Sequence, residues 1–288
     1  MTLSEKNREI KKKLDPHVGD REAYWMARDI FDDVMGYSEV DMLVNGNEEL
    51  SDFILGKLDA VVDRVVQGEP LQQVLGWARF AGNRFKVTRD TLIPRPETQE
   101  LVDLIISRHG EEKDLQVMDV GTGSGCIAIT LARGLKFPQV NAIDISQPAL
   151  NVAQENAKML KTKVKFECRD ALNLQKVDNE RYNIIVSNPP YIIDSERADM
   201  EGNVLDYEPA MALFVPDEDP LRFYRAIAKW GTMVLLPGGA IFYEINPRYA
   251  VEMLMMMRGL GYVDVEVIED MQLKERFVCA KMPKIKWK

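Results

Sequence analysis

The sequence predicts an α/β protein: a mostly parallel sheet, covered by helices on both faces, behind a small N-terminal helical bundle. Three observations predict it. From residue 97 onward, apolar runs of strand length alternate with amphipathic runs of helix length, the pattern of a parallel sheet with helical crossovers. Residues 1–75 space their apolar side chains by three and four and show no period-two alternation. Glycines, aspartates and prolines gather where the apolar runs stop, the end at which such sheets bind ligands.

Taken in order, "AYWMARDIFDDVMGY" places Tyr24, Ala27, Ile30, Phe31 and Val34 on one helical face. "LSDFILGKLDAVVDRVVQGEP" does the same with Phe53, Leu58, Val61, Val62 and Val65; Ser51 is its expected N-cap and Gly68-Glu69-Pro70 its stop. Residues 76–96 read as a hairpin connector. Phe80 and Phe85 flank Gly82-Asn83, and Pro94 and Pro96 close the segment. The remainder, 97–288, is the main domain. Its expected strands are "LQVMDV", "QVNAIDI", "KVKFECRD", "YNIIVSN", "GGAIFYEI", "YVDVEVIE" and "RFVCAKM". Its expected helices are "TQELVDLIISRH", "SGCIAITLARGL", "SQPALNVAQENAKML" with Ser146 as N-cap, "LRFYRAIAKWGTMV" and "RYAVEMLMMMRGL".

Composition narrows the function. At 46% hydrophobic and 29% charged, the 288 residues have the make-up of a globular protein. No run of about 18 apolar residues is present to span a bilayer, and the charged start "MTLSEKNREIKKKLD" lacks the apolar core of a signal peptide. A cytoplasmic location with no membrane partner is expected. Cys126, Cys168 and Cys279 form no C-x-x-C pair, which argues against zinc and disulfides. His17 and His109 lie away from the motifs, so neither a bound metal nor a histidine base is expected. Net charge is −9, and residues 1–80 hold sixteen acids and ten bases. That balance argues against direct nucleic-acid binding.

The strand ends carry the chemistry. The first expected strand runs into D-x-G-x-G-x-G, with Asp119 before Gly121, Gly123 and Gly125. Glycines let a backbone turn sharply and approach a ligand, and the next helix aims its N-terminal amides at it. The second strand ends at Asp144, at the spacing of a carboxylate that accepts ribose hydroxyls. The third ends at Asp170, which could accept from an adenine amine. The glycine spacing is not that of dinucleotide sites, and the acid before the loop is typical of S-adenosylmethionine enzymes. The fourth strand ends in Ser187-Asn188-Pro189-Pro190-Tyr191. Two prolines donate no backbone hydrogen bond and stop a central strand. The Asn188 side-chain carbonyl and the Pro189 backbone carbonyl are then free to accept the two N–H groups of a planar amide or amine, with Tyr191 against the same plane.

The glycine loop together with Asn-Pro-Pro-Tyr resembles the class I amino-methyltransferases. Within them, "LIPRPETQELV" (92–102), "PLQQVLGWARFAGNRFKV", "VSNPPYI" and "LDYEPAMALF" (205–214) resemble the HemK/PrmC-type enzymes over residues 70–245. The resemblance implies a Rossmann-like, seven-stranded class I S-adenosylmethionine-dependent fold. It implies methyl transfer to the glutamine N5 of peptide chain release factors, with S-adenosylmethionine as cofactor. It also implies that the helical domain 1–75 docks the protein substrate. A monomer is expected. By the same resemblance Gly121, Thr122, Gly123, Ser124 and Gly125 line the methionine moiety, Asp144 holds the ribose, and Asp170 and Ala171 border the adenine. Asn188, Pro189, Pro190 and Tyr191 grip the glutamine amide, Asn188 also bordering the cofactor. The chain departs from the family at "VPDEDPL" and "INPRYA", which concerns the substrate-side loops. The alternatives are an adenine N6-methyltransferase, which would need a basic channel beyond the short tail "MPKIKWK", and a non-catalytic scaffold of the same fold. An NAD-dependent oxidoreductase fails on the glycine spacing.

Overall fold

The computed structural model describes residues 1–199 and 202–284; most of the basic tail lies outside the described residues. The chain divides into two compact units, Met1–Trp77 with Glu201–Tyr207, and Ala78–Met200 with Glu208–Lys288.

The first unit is helical: α1 (Leu3–Val18), α2 (Asp20–Met35), α3 (Glu39–Val44), α4 (Asp52–Val66) and α5 (Leu71–Leu75). Thr2 and Glu5 close a capping box on α1, and Ser51 caps α4 by accepting from the Ile54 N–H at 3.4 Å. Leu3, Ile10, Leu14, Ala27, Ile30, Phe31, Leu58 and Val62 share one core. Two residues expected on that face are elsewhere. The buried stripe of α2 begins at Ala23, so Tyr24 turns about 100° away from it, and its hydroxyl meets Glu39. Phe53 lies five residues before Leu58, about 140° around the helix, and is exposed.

A hairpin follows, β1 (Trp77–Phe80) and β2 (Asn83–Lys86). Its loop is Ala81-Gly82, one residue earlier than the sequence implied, with φ of 47° and 72°. Two positive φ values give the turn whose twist matches the strands. The Asn83 amide donates to the Ala81 carbonyl at 2.8 Å and holds it there. Helix α6 (Pro96–His109) starts two residues before its expected start. Pro96 is its first residue, where a missing N–H has no intrahelical partner to lose.

The sheet strands are β3 (Gln116–Val120), β4 (Gln139–Asp144), β5 (Lys165–Cys168) and β6 (Tyr182–Ser187). After a separate parallel pair, β7 (Ile192–Ile193) and β8 (Phe214–Val215), come β9 (Leu235–Glu244), β10 (Val263–Glu269) and β11 (Glu275–Lys281). Their order is β10-β11-β9-β6-β3-β4-β5. Strands β5, β4, β3, β6 and β9 are parallel, and β11 is antiparallel to both its neighbours. These seven are the expected seven. Helices α6, α7 (Cys126–Gly134) and α8 (Gln147–Met159) cover one face; α10 (Arg222–Val234) and α11 (Ala250–Gly259) cover the other, with α9 (Gly202–Tyr207) in the first unit. Side chains alternate between faces: Val117, Ile184 and Val186 join one core, Met118, Val120 and Ile185 the other. Burial on both faces is why the central strands read as unbroken apolar runs. Among the described residues, no helix is long and apolar enough to cross a membrane.

Candidate active site

Strand register sets four residues side by side. Val120 pairs with Ile143 and with Ser187, and Ser187 pairs with Tyr243. The next residue along each strand is Gly121, Asp144, Asn188 or Glu244. They emerge together at the carboxyl edge, where strand order reverses between β3 and β6 and open α/β sheets bind ligands. A cavity of about 340 Å³ opens there, lined by Gly121, Gly123, Asp144, Asp170, Ala171, Asn188, Pro189 and Pro190 among others. Thr122, Ser124, Gly125 and Tyr191 are not among its lining residues.

The three glycines divide by role. All have positive φ, 78°, 53° and 82°. A Cβ on Gly121 or Gly123 would meet no atom within 4 Å, so their bare backbones front open space. A Cβ on Gly125 would lie 3.0 Å from the Ile129 side chain and 3.1 Å from that of Ala153. Gly125 therefore serves the close packing of α7 against α8. The side chains between the glycines face inward. The Thr122 hydroxyl donates to Asp119 Oδ2 at 2.7 Å, and Ser124 is buried. Asp119 is fully buried, and burial pushes its carboxyl up to about 7 against the opposing bonds from Thr122 and the Ala128 N–H.

Asp144 does two jobs at once. Its Oδ2 accepts from the Gly123 N–H and its Oδ1 from the Ser146 N–H, both at 2.9 Å. The carboxylate thus fixes the glycine loop and keeps further lone pairs for a ligand. Burial raises its pKa, partly offset by those backbone bonds. Asp170 caps the turn Ala171–Asn173, accepting from the Leu172 N–H at 2.8 Å and from the Asn173 amide, while lining the cavity.

The Asn-Pro-Pro-Tyr corner is anchored from behind. Asn188 Nδ2 donates to Thr98 Oγ1 at 3.1 Å. The Thr98 hydroxyl donates to Glu244 Oε2 at 2.6 Å, and the Tyr191 hydroxyl donates to Glu244 Oε1 at 3.0 Å. Burial raises the pKa of Glu244. Burial, then the Glu244 charge, raises that of Tyr191. From "INPRYA", the Asn246 amide reaches the Tyr191 carbonyl at 3.4 Å and Glu196 at 3.1 Å. Glu208 of "LDYEPAMALF" accepts from the Ile93 N–H at 2.9 Å and pairs with Arg95, locking two of the resembling segments together.

The family of the methyltransferase small domain matches residues 98–205, and that of the PrmC N-terminal domain matches residues 8–76. A release factor glutamine methyltransferase of Bacteroides thetaiotaomicron is 44% identical over 248 residues, 86% of this chain and 88% of that one. Its counterpart in Flavobacterium psychrophilum is 37% identical over 242 residues, 83% and 85% of the two chains. The chain belongs to the release factor glutamine methyltransferases. Solved structures agree on the fold. A methyltransferase from Pyrococcus furiosus superposes with a TM-score of 0.53 at 13% identity, covering 77% of this chain and 97% of that one. A 16S rRNA methyltransferase from T. thermophilus gives 0.51 at 19%, covering 72% and 49%.

Four residues of the candidate site were not singled out in the sequence. Ile145 and Leu172 line the cavity beside Asp144 and Asp170; Ile145, apolar yet exposed at 53%, directly follows a strand end. Thr98 lies inside "LIPRPETQELV", and Glu244 is an acid closing an apolar strand. The place of Glu244, level with Asn188 and Asp144, was the available signal.

Proposed function

We propose that this chain transfers a methyl group from S-adenosylmethionine to the side-chain amide nitrogen (N5) of the glutamine in the Gly-Gly-Gln motif of class I peptide chain release factors. The observation that carries the reading is that one cavity is lined both by the arc Gly121, Gly123, Asp144 and by the corner Asn188-Pro189. The residues present fit the cofactor. The volume of about 340 Å³ is that of a small-molecule pocket, and Gly121 and Gly123 leave open the space that side chains would fill. When bound, S-adenosylmethionine supplies an electrophilic methyl on a positively charged sulfur.

The chain's own residues bind and aim. Asp144 would hold the ribose hydroxyls with its remaining lone pairs, and Asp170 and Ala171 would border the adenine, with Ile145 and Leu172 lining the same cavity. Asn188 Oδ1 and the Pro189 carbonyl accept the two N–H groups of the glutamine amide. An amide nitrogen is a weak nucleophile because its lone pair is delocalised. Accepting from both N–H groups raises electron density on nitrogen and fixes its direction. Positioning of this kind lowers a bimolecular barrier by about 7–11 kcal/mol in favourable cases. No group need ionise the amide first, and the proton given up by the methylated nitrogen leaves to water. The helical unit docks the release factor, the enzyme works as a monomer, and its place is the cytoplasm, where translation terminates.

The test is peptide mass spectrometry after incubation with S-adenosylmethionine and either a class I release factor or duplex DNA. One methyl on the Gly-Gly-Gln glutamine is expected. Asn188→Ala should lower kcat by about 10²-fold or more, far more than it weakens S-adenosylmethionine binding. Methylation of adenine alone would overturn the reading.

A further inference from the structure

We propose that Thr98 and Glu244 are positioning residues that decide which way round the Asn188 amide faces, through a hydrogen-bond chain that runs in one direction. The proposal deepens the function above and rests on it. The two branches of an asparagine amide have nearly the same shape, and only their partners choose between them. Glu244, 1% exposed, accepts with both oxygens, from Thr98 at 2.6 Å and from Tyr191 at 3.0 Å. Thr98, 3% exposed, has a single hydroxyl proton, and Glu244 holds it. The Thr98 oxygen is left only to accept, so Asn188 must turn its Nδ2 to it, at 3.1 Å. The carbonyl branch of Asn188 is then the one left for the cavity that Asn188 lines.

The same carboxylate holds both ends of the corner, Asn188 through Thr98 and Tyr191 directly. Three elements meet in this arrangement: Thr98 comes from α6, Glu244 from the end of β9, and the corner from the end of β6. Reversal of the amide would present two donors to a substrate nitrogen that is itself a donor. The substrate would bind misaligned or not at all, and misplacement near 1 Å costs about 10²-fold in rate.

Thr98→Val keeps the side-chain shape and removes the hydroxyl; Thr98→Ser restores it. With a release factor as substrate, Thr98→Val should lose about 10- to 100-fold in kcat while its S-adenosylmethionine Kd holds, and Thr98→Ser should recover most of the loss. In protein labelled with ¹⁵N-asparagine, the Asn188 side-chain NH₂ signal, assigned by its disappearance in Asn188→Ala, should exchange slowly in wild type and in Thr98→Ser and quickly in Thr98→Val. Wild-type kcat in Thr98→Val, or equal loss of cofactor binding and turnover, would overturn the proposal. Rapid exchange of both NH₂ protons in the wild type would overturn it without any variant. If the wild type methylates no release factor, the functional reading fails, and the exchange measurement still decides whether the chain of bonds orients Asn188.

Discussion

Asp119 has no exposed surface, one oxygen bonded to Thr122 and the Ala128 N–H, and the other without a partner among the described residues. Desolvation is the largest influence on it and pushes its pKa from the ordinary carboxyl range up to about 7. The folded protein therefore keeps this proton to a higher pH than the unfolded chain does. Between the two values the folded state binds more protons, so stability falls as pH rises, by up to about 1.4 kcal/mol for each pH unit. The contribution is fully present below the unfolded pKa and is gone above about 7. Asp119→Asn cannot titrate. Urea unfolding from pH 4 to 8 should show wild type losing stability relative to Asp119→Asn. Parallel curves for the two proteins would show that the carboxyl stays charged when folded.

Helix α8 and strand β2 are joined at the surface by the ion pair of Lys86 with Glu155 and in the interior by Asn156. Asn156, fully buried, accepts from the Lys86 N–H at 2.7 Å and donates to the carbonyls of Lys86 at 3.0 Å and Ser124 at 2.9 Å. It thus fixes the hairpin and the glycine loop to the same helix. Asn156→Leu keeps the volume and leaves three backbone groups without their partner, so a loss of about 2–4 kcal/mol is expected. Urea denaturation measures it, and a loss below about 1 kcal/mol would mean that water replaces the amide. Nothing in the sequence set Asn156 apart from other polar residues of an amphipathic helix, because its partners lie 70 and 32 residues away. Strands β3, β4 and β6 were legible because each is an apolar run ended by turn residues. The start of β9 was not. Its pairing with β6 slips between Tyr182 and Ile184, where a Cβ on Gly239 would press to 3.0 Å on the Asn183 carbonyl. Pro237-Gly238-Gly239 thus reads as a break although the strand begins at Leu235.

Across the whole molecule, the ends of apolar runs are visible in sequence, and two of them, Asp144 and Asn188, line one cavity. Thr122, Ser124 and Gly125 look equivalent to their glycine neighbours in sequence; only packing against Asp119, Ile129 and Ala153 separates them. Charge is legible at this scale without any structure. The chain carries −9, and residues 1–80 alone carry sixteen acids against ten bases. Such a field accelerates the encounter with a partner that presents a basic face, by about tenfold or more at low salt. Salt removes the effect, because the screening length falls from about 10 Å at 0.1 M to about 3 Å at 1 M. For an intact release factor with a basic face, kcat/KM should drop by about that factor across this range while kcat holds. A short uncharged peptide containing Gly-Gly-Gln reaches the same cavity without steering, so its kcat/KM should barely respond. A flat response for the intact protein would mean that shape and apolar contact govern the encounter and that the acidic surface serves solubility alone.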